Sequence, residues 1–127
     1  MKIRYLGNRE NQRSSAELLS GHIYPVLALM VDLSSKMSTA IVLHDDLHSP
    51  VQIKADTFEV VDQSIPKMWE IEVTLDSVLM APREWQLKDF WRDLFNGNAH
   101  ALRQFERILP ELCEQIAGEP PHSWAVN

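Results

Sequence analysis

The chain has 127 residues, 45% hydrophobic and 24% charged, which is typical of one globular domain spanning 1–127. Its net charge is −6, and residues 14–79 carry ten acids against three lysines. This charge argues against a general nucleic-acid binder and is compatible with a basic protein partner. The longest apolar run, Pro25–Val31, is too short for a membrane span, so no membrane partner is expected. The single cysteine, Cys113, excludes an intramolecular disulfide framework and any CxxC motif, so a cytoplasmic location is expected.

Alternating or β-branched stretches predict short strands in residues 1–81, which we expect to be mainly β-sheet. In chain order they are Lys2–Leu6, Ile23–Leu33, Thr39–His44, Val51–Lys54, Phe58–Val61 and Trp69–Leu75, with Val78–Ala81 as an extension. The near-continuous hydrophobicity of Ile23–Leu33 predicts burial on both faces. In Trp69–Leu75 the apolar side chains share one face, while Glu70, Glu72 and Thr74 share the other. This alternation predicts a half-exposed strand.

Residues 82–118 are expected to be helical, followed by a tail at 119–127. Apolar and aromatic side chains recur at three- and four-residue spacings in Arg83–Phe95, which predicts an amphipathic helix. Gly97 suits the left-handed end of that helix, and Asn98 suits the cap of the next one. The last helix is predicted over Ala99–Ala117, with a kink or a break at Pro110. A sheet followed by helices is an α+β arrangement.

The segment His44-Asp45-Asp46-Leu47-His48 combines two histidines with two carboxylates, and zinc accepts both ligand types. On a helix the two histidines would share a face. Here they lie at a strand end and a turn, where their side chains need not converge, and Asp-rich turns are common for local reasons. We therefore expect no metal site, and a small metal-dependent enzyme is the most distant hypothesis.

No nucleophile has the sequence surroundings of a hydrolase. Ser14, Ser15 and Ser20 lack a glycine-rich elbow, and Cys113 lies beside apolar helix positions, where cysteine is usually a packing residue. Glu70 and Glu72 could form a catalytic pair, but alternating carboxylates more commonly mark an exposed face. The sequence predicts neither an enzyme nor a cofactor.

The aromatic side chains Tyr24, Trp69, Trp85 and Trp124 could line a binding groove, because aromatics are enriched at contact surfaces. Most of them are better explained as core residues. Trp124 differs because it lies past the last predicted helix, where it either packs back or stays exposed.

Two groups of short motifs resemble known bacterial proteins. The first consists of residues 5–7 (YLG), 21–29 (GHIYPVLAL), 41–43 (IVL) and 56–62 (DTFEVVD). It resembles the strand pattern of small SH3-like barrel proteins. The second consists of residues 65–69 (IPKMW), 82–85 (PREW) and 90–98 (FWRDLFNGN). It is similar to an arrangement in immunity proteins of polymorphic-toxin and contact-dependent growth inhibition systems, and the resemblance covers nearly the whole chain.

The resemblance implies a small antiparallel, SH3-like β-barrel followed by two C-terminal helices packed on it. It also implies a cytoplasmic immunity protein that neutralises a cognate toxin domain, such as a nuclease, by occlusion. Contact residues do not carry over from the family, so charge alone selects the predicted partner-binding residues. They are Asp45, Asp46, Glu70, Glu72 and Asp76. The alternative hypothesis is an SH3-like adaptor or regulatory module without a toxin partner.

Overall fold

The computed structural model describes residues 1–7, 18–87 and 89–117. These residues form an antiparallel sheet of seven strands and two C-terminal helices. The strands are β1 Lys2–Tyr5, β2 Ile23–Asp32, β3 Met37–Leu43, β4 Pro50–Lys54, β5 Phe58–Asp62, β6 Trp69–Val73 and β7 Ser77–Pro82. Single 3-10 turns cover Ala55–Thr57 and Arg83–Trp85, and the helices are α1 Phe90–Phe95 and α2 Ala99–Ala117. The predicted α+β class is confirmed.

Strand β2 is the junction of the sheet. It pairs with β3 over Val26–Asp32, its first residues pair with β1, and its last residues, Leu29–Asp32, pair with β7. The order is therefore β4-β3-β2-β1-β5, with a β7-β6 branch on β2. The predicted burial on both faces holds for residues 24–28, but Ile23 is 50% and Leu33 44% exposed, and residues 29–31 are only partly buried. A register shift between Val26 and Ala28 separates the two halves of β2.

The SH3-like barrel is not confirmed, because the sheet stays open. Strands β4 and β5 end the two sides of the main path, and no ladder joins them in the described ranges. They are consecutive strands connected by one 3-10 turn, yet β4 pairs with β3 while β5 pairs with β1. The turn at Ala55–Thr57 thus carries the chain around a corner, so that each strand joins a different part of the sheet.

The predicted helix over Arg83–Phe95 is wrong in its extent. The backbone forms a 3-10 turn at Arg83–Trp85, and α1 starts only at Phe90 because Asp89 adopts a left-handed conformation with φ 65°. A residue with positive φ cannot continue a right-handed helix. Helix α1 packs mainly on α2, and α2 contacts β2. The aromatic stripe therefore covers α2 more than it covers the sheet.

The end of α1 follows the prediction. Gly97 has φ 82°, and the side-chain oxygen of Asn98 accepts a hydrogen bond from the Ala101 N–H at 3.0 Å. Helix α2 continues through Pro110 without the predicted break. Its buried stripe anchors it on the sheet, and none of the helices in the described part of the chain is long and apolar enough to cross a membrane.

Candidate partner-binding surface

The five predicted acids fall into two groups on two different hairpins of the sheet. Asp45 and Asp46 lie in the β3–β4 turn, and the Tyr24 hydroxyl near the start of β2 donates to Asp45 Oδ2 at 2.9 Å. The β6–β7 hairpin carries the other three acids, and its turn lies at the far end of β2, where Asp32 pairs with Ser77. At a strand rise of roughly 3.3 Å per residue, the two turns are on the order of 25 Å apart along β2, while Glu70 and Glu72 lie level with its middle residues. The five residues therefore do not form one surface.

Asp46 serves the β3–β4 turn itself. Its carboxylate accepts hydrogen bonds from the His48 N–H at 2.7 Å, from the Ser49 N–H at 2.9 Å and from the Ser49 hydroxyl at 2.7 Å. Partial desolvation acts to raise the pKa of Asp46, but these hydrogen bonds outweigh it, so the pKa lies below its ordinary value. The carboxylate holds the turn, as short Asp-rich turns commonly do.

Asp45 belongs to a second local network. The Tyr24 ring is buried, and its hydroxyl accepts the Leu19 N–H at 2.8 Å while donating to Asp45. Burial raises the pKa of Tyr24 to about 12, and the nearby Asp45 carboxylate adds to this. Tyr24 therefore remains a donor at neutral pH, and Asp45 is its acceptor. Both acids of this turn have structural partners.

Replacing Asp46 with alanine is expected to lower the free energy of unfolding by about 1–2 kcal/mol at pH 7, since the turn loses three hydrogen bonds at a largely exposed site. Because the folded-state pKa lies below the ordinary 3.8, this contribution is present above that value and is lost as the pH falls through the folded-state pKa. Urea unfolding at pH 7 and pH 3 measures it. Asp46→Asn keeps an acceptor and is the matched control; equal stability of all three proteins at pH 7 contradicts the assignment.

Two of the four metal-capable residues of this turn bond to its backbone. His44 Nδ1 accepts the Asp46 N–H at 3.0 Å, and the Asp46 carboxylate is shared among the donors of the turn. In residues 1–7, 18–87 and 89–117, no three histidine, cysteine or acidic side chains are grouped to hold a metal ion.

The potential nucleophiles that the structure describes have ordinary surroundings. Burial raises the pKa of Cys113 to about 12, so the thiol is protonated at neutral pH. The Ser20 hydroxyl donates to the Leu6 carbonyl at 3.3 Å. Ser14 and Ser15 lie outside the described residues, as do Trp124 and the predicted tail at 119–127.

Three of the four aromatic residues considered for a groove belong to the core. Tyr24 is 1% exposed, Trp69 7% and Trp85 0%. Trp85 stacks on Phe105 of α2 with ring centroids 4.8 Å apart. The interpretation as core residues is confirmed for these three side chains.

The β6–β7 hairpin carries the other three predicted acids. Its turn is closed by Thr74, whose Oγ1 accepts the N–H groups of Asp76 and Ser77 at 3.2 and 3.0 Å. Glu70 and Glu72 are exposed on one face of β6, and the Glu70 carboxylate meets Arg83 Nε at 3.2 Å. Both of those side chains are at least half exposed, so this ion pair adds little to stability.

The hairpin also exposes apolar side chains where a buried face was expected. Ile71 is 64% exposed, Val73 67% and Leu75 97%, and only Trp69 at the base of the strand is buried. Strand β6 pairs only with β7 within the described ranges and is therefore an edge strand. Only its first residue packs against the core. The prediction of a half-exposed strand is therefore wrong for most of β6, which is open on both faces.

Asp32 is a further acid at this site that charge counting along the chain did not single out. The ladder places it opposite Ser77, on the face that carries Glu72. Hydrogen bonds from the Ser34 hydroxyl and from the Ser34 and Ser35 N–H groups lower the pKa of Asp32. An aspartate followed by serines is a recognisable turn signal, but its position beside the hairpin depends on long-range pairing.

These side chains define one candidate site, which we call the hairpin surface. It consists of Asp32, Glu70, Ile71, Glu72, Val73, Leu75 and Asp76. It carries exposed aliphatic side chains on one face of β6 and carboxylates on the other, and can bind a protein segment that is both apolar and basic. Comparison with protein-family models, with curated protein sequences and with solved structures found no match to this chain.

Proposed function

We propose that this protein is an immunity protein that binds a cognate toxin domain in the cytoplasm and neutralises it by occlusion. The observation that carries the proposal is the hairpin surface, where Ile71, Val73 and Leu75 are largely exposed among acidic side chains. Isolated exposed apolar residues are common, but Ile71 and Val73 are neighbours on one face of β6, with Glu70 and Glu72 on its other face, and this arrangement favours a protein-binding site. The motif resemblance to immunity proteins supplies the class of partner.

The electrostatics favour a basic toxin domain, such as a nuclease. The chain has a net charge of −6, and the hairpin surface presents carboxylates whose only ion pair in the described part of the chain is between Glu70 and Arg83. Opposite charges on two partners accelerate encounter and suppress wrong orientations, while the apolar centre slows dissociation. An inhibitor that must act before its target does damage benefits from fast association.

The alternative, an SH3-like adaptor for peptides, receives less support. Such a module would use exposed aromatic side chains as a peptide platform, and Tyr24, Trp69 and Trp85 are all buried. The SH3-like arrangement of the strands is itself only proposed, because the strand pairings of the described residues leave the sheet open.

Co-expression tests the proposed function. The C-terminal domain of the large protein encoded directly upstream is induced in a bacterial host with and without this protein. We expect growth arrest by the toxin domain alone, rescue by co-expression, and recovery of a complex by affinity purification. A toxin domain from an unrelated locus is the control and should not be neutralised. Growth arrest that persists while this protein accumulates in folded form contradicts the proposal.

A further inference from the structure

Among the residues that the structure describes, no strand pairs with the outer edge of β6, which presents its backbone groups. The Thr74 N–H donates to the Ser77 carbonyl at 2.9 Å, so this pair is a hydrogen-bonded one. Hydrogen-bonded and non-hydrogen-bonded pairs alternate in an antiparallel ladder. The Val73–Val78 and Ile71–Met80 pairs are therefore non-hydrogen-bonded ones. The N–H and C=O groups of Ile71 and Val73 consequently point away from β7, toward the edge.

The base of the strand agrees with this alternation. Trp69 lies opposite Pro82, which has no N–H to donate, and the Trp69 N–H instead bonds to the Pro66 carbonyl at 3.2 Å. The Gln86 side-chain amide donates to the Glu70 and Ala81 carbonyls at 2.6 and 2.8 Å and fixes the two strands together. The hairpin is thus held at its base and turn, and its free edge is ready to pair.

The side chains beside this edge specify the chemistry of an incoming strand. Glu70 and Glu72 lie on one face and Ile71 and Val73 on the other. Directly opposed side chains of neighbouring strands contact one another, and opposite charges or apolar pairs stabilise the sheet. The matching strand carries lysine or arginine on one face and aliphatic residues on the other.

We propose that the outer edge of β6 accepts an extended segment of a basic protein as an added strand, with alternating basic and aliphatic side chains. Backbone hydrogen bonds to Ile71 and Val73 supply affinity, and the carboxylates of Glu70 and Glu72 select basic side chains. The proposal rests on the proposed function for the identity of the strand donor, which is then the toxin domain.

A second copy of this chain fits the same edge poorly. If two β6 strands paired antiparallel about Ile71, Glu70 of each copy would face Glu72 of the other. A shift of the register by two residues places one glutamate opposite the same glutamate of the other copy and the second glutamate opposite an uncharged side chain. A shift by one residue places the glutamates opposite apolar side chains. Charged edges of this kind oppose self-association, which directs the edge toward a basic partner.

Synthetic peptides test the edge directly. The probe is a short fluorescent peptide in which lysine alternates with valine, titrated into the full chain and followed by anisotropy. A peptide with glutamate in place of lysine tests charge, and a lysine–valine peptide with alternate amides N-methylated tests the backbone bonds. We expect each control to bind at least ~10-fold more weakly, equivalent to losing one or two hydrogen bonds or charge pairs. Equal binding of the N-methylated peptide overturns strand addition.

Matched variants of the protein test whether the peptide binds at the outer edge of β6. Val73→Pro removes an N–H that points to the free edge and leaves the β6–β7 bonds in place, whereas Val73→Thr keeps the N–H and is the control. We expect Val73→Pro to bind the lysine–valine peptide at least ~10-fold more weakly, and Val73→Thr to bind within ~3-fold of the parent. Thermal melting by circular dichroism verifies that both fold. If Val73→Pro does not fold, the binding of the N-methylated peptide to the parent protein decides whether a strand is added.

The remaining outcomes also decide. If the protein forms concentration-dependent dimers and Val73→Pro abolishes them, the edge binds a second copy of the chain. If the peptide binds only to a variant that ends at Ala117, the edge is occupied by residues 118–127. Either result overturns the proposal. Full toxin binding by a folded Val73→Pro overturns strand addition but leaves the proposed function standing. Peptide binding without growth rescue by the parent protein overturns the proposed function and keeps the edge assignment.

Discussion

Trp85→Ala is expected to lower the free energy of unfolding by about 3–5 kcal/mol. Trp85 has no exposed surface and stands at the centre of the aromatic cluster. Its ring stacks on Phe105 at 4.8 Å and on Phe90 at 6.3 Å, and meets the edge of Trp91 at 5.6 Å. Alanine would leave a cavity lined by three rings that are anchored on two different helices, so the site cannot easily collapse.

Urea denaturation followed by circular dichroism at 222 nm measures this loss. Leu75→Ala is the control, because Leu75 is 97% exposed and its truncation should change stability by no more than ~0.5 kcal/mol. Trp91 is only half-buried, so Trp91→Ala should cost less than Trp85→Ala. A Trp85→Ala protein within ~1 kcal/mol of the parent would mean that α1 and α2 are held by other contacts.

Reversing Glu70 and Glu72 together to lysine is expected to weaken toxin binding by ~10²-fold or more at low salt, because attraction to a basic surface becomes repulsion. The association rate should carry much of the change. Added salt should weaken the parent complex but leave the variant unchanged or strengthen it, since screening removes attraction in one case and repulsion in the other. Surface plasmon resonance at several ionic strengths measures both effects.

The double variant Glu106→Lys with Glu111→Lys is the matched control. It changes the net charge by the same amount at two exposed positions of α2, outside the β6–β7 hairpin. If this control weakens toxin binding as much as the hairpin variant, then the total charge determines the affinity and the hairpin surface has no special role. Retained affinity in the hairpin variant removes Glu70 and Glu72 from the site.

Local patterns predicted most strands and turns because their causes lie within a few residues. The alternation of β1, β4 and β6, the left-handed Gly97 and the Asn98 cap all depend on neighbours in the sequence. The helix boundary at Asp89 was missed because aromatic spacing continues across it. Aspartate adopts the left-handed conformation more readily than most residues, and side-chain periodicity does not record that.

The site was predictable only in part. Charge selected Glu70, Glu72 and Asp76 correctly as exposed residues, but the sequence could not separate them from Asp45 and Asp46, since the distance depends on which ends of β2 receive each turn. Exposure of Ile71 and Val73 was hidden for a similar reason. An alternating strand looks the same whether its apolar face meets a core or the solvent, and only the sheet order decides.

The position of β2 as the junction also determines the order in which the protein can be completed during synthesis. Its partners β1 and β3 are made immediately before and after it, whereas β7 is made only after β4, β5 and β6. Until Ser77–Pro82 has left the ribosome, Leu29–Asp32 has an unpaired edge that can associate with other nascent chains. Long-range pairing of this kind is slow, because the entropy of closing a large loop is lost before the new contacts compensate for it. A chain interrupted before β7 would therefore lack the hairpin and also leave the centre of its sheet open to aggregation.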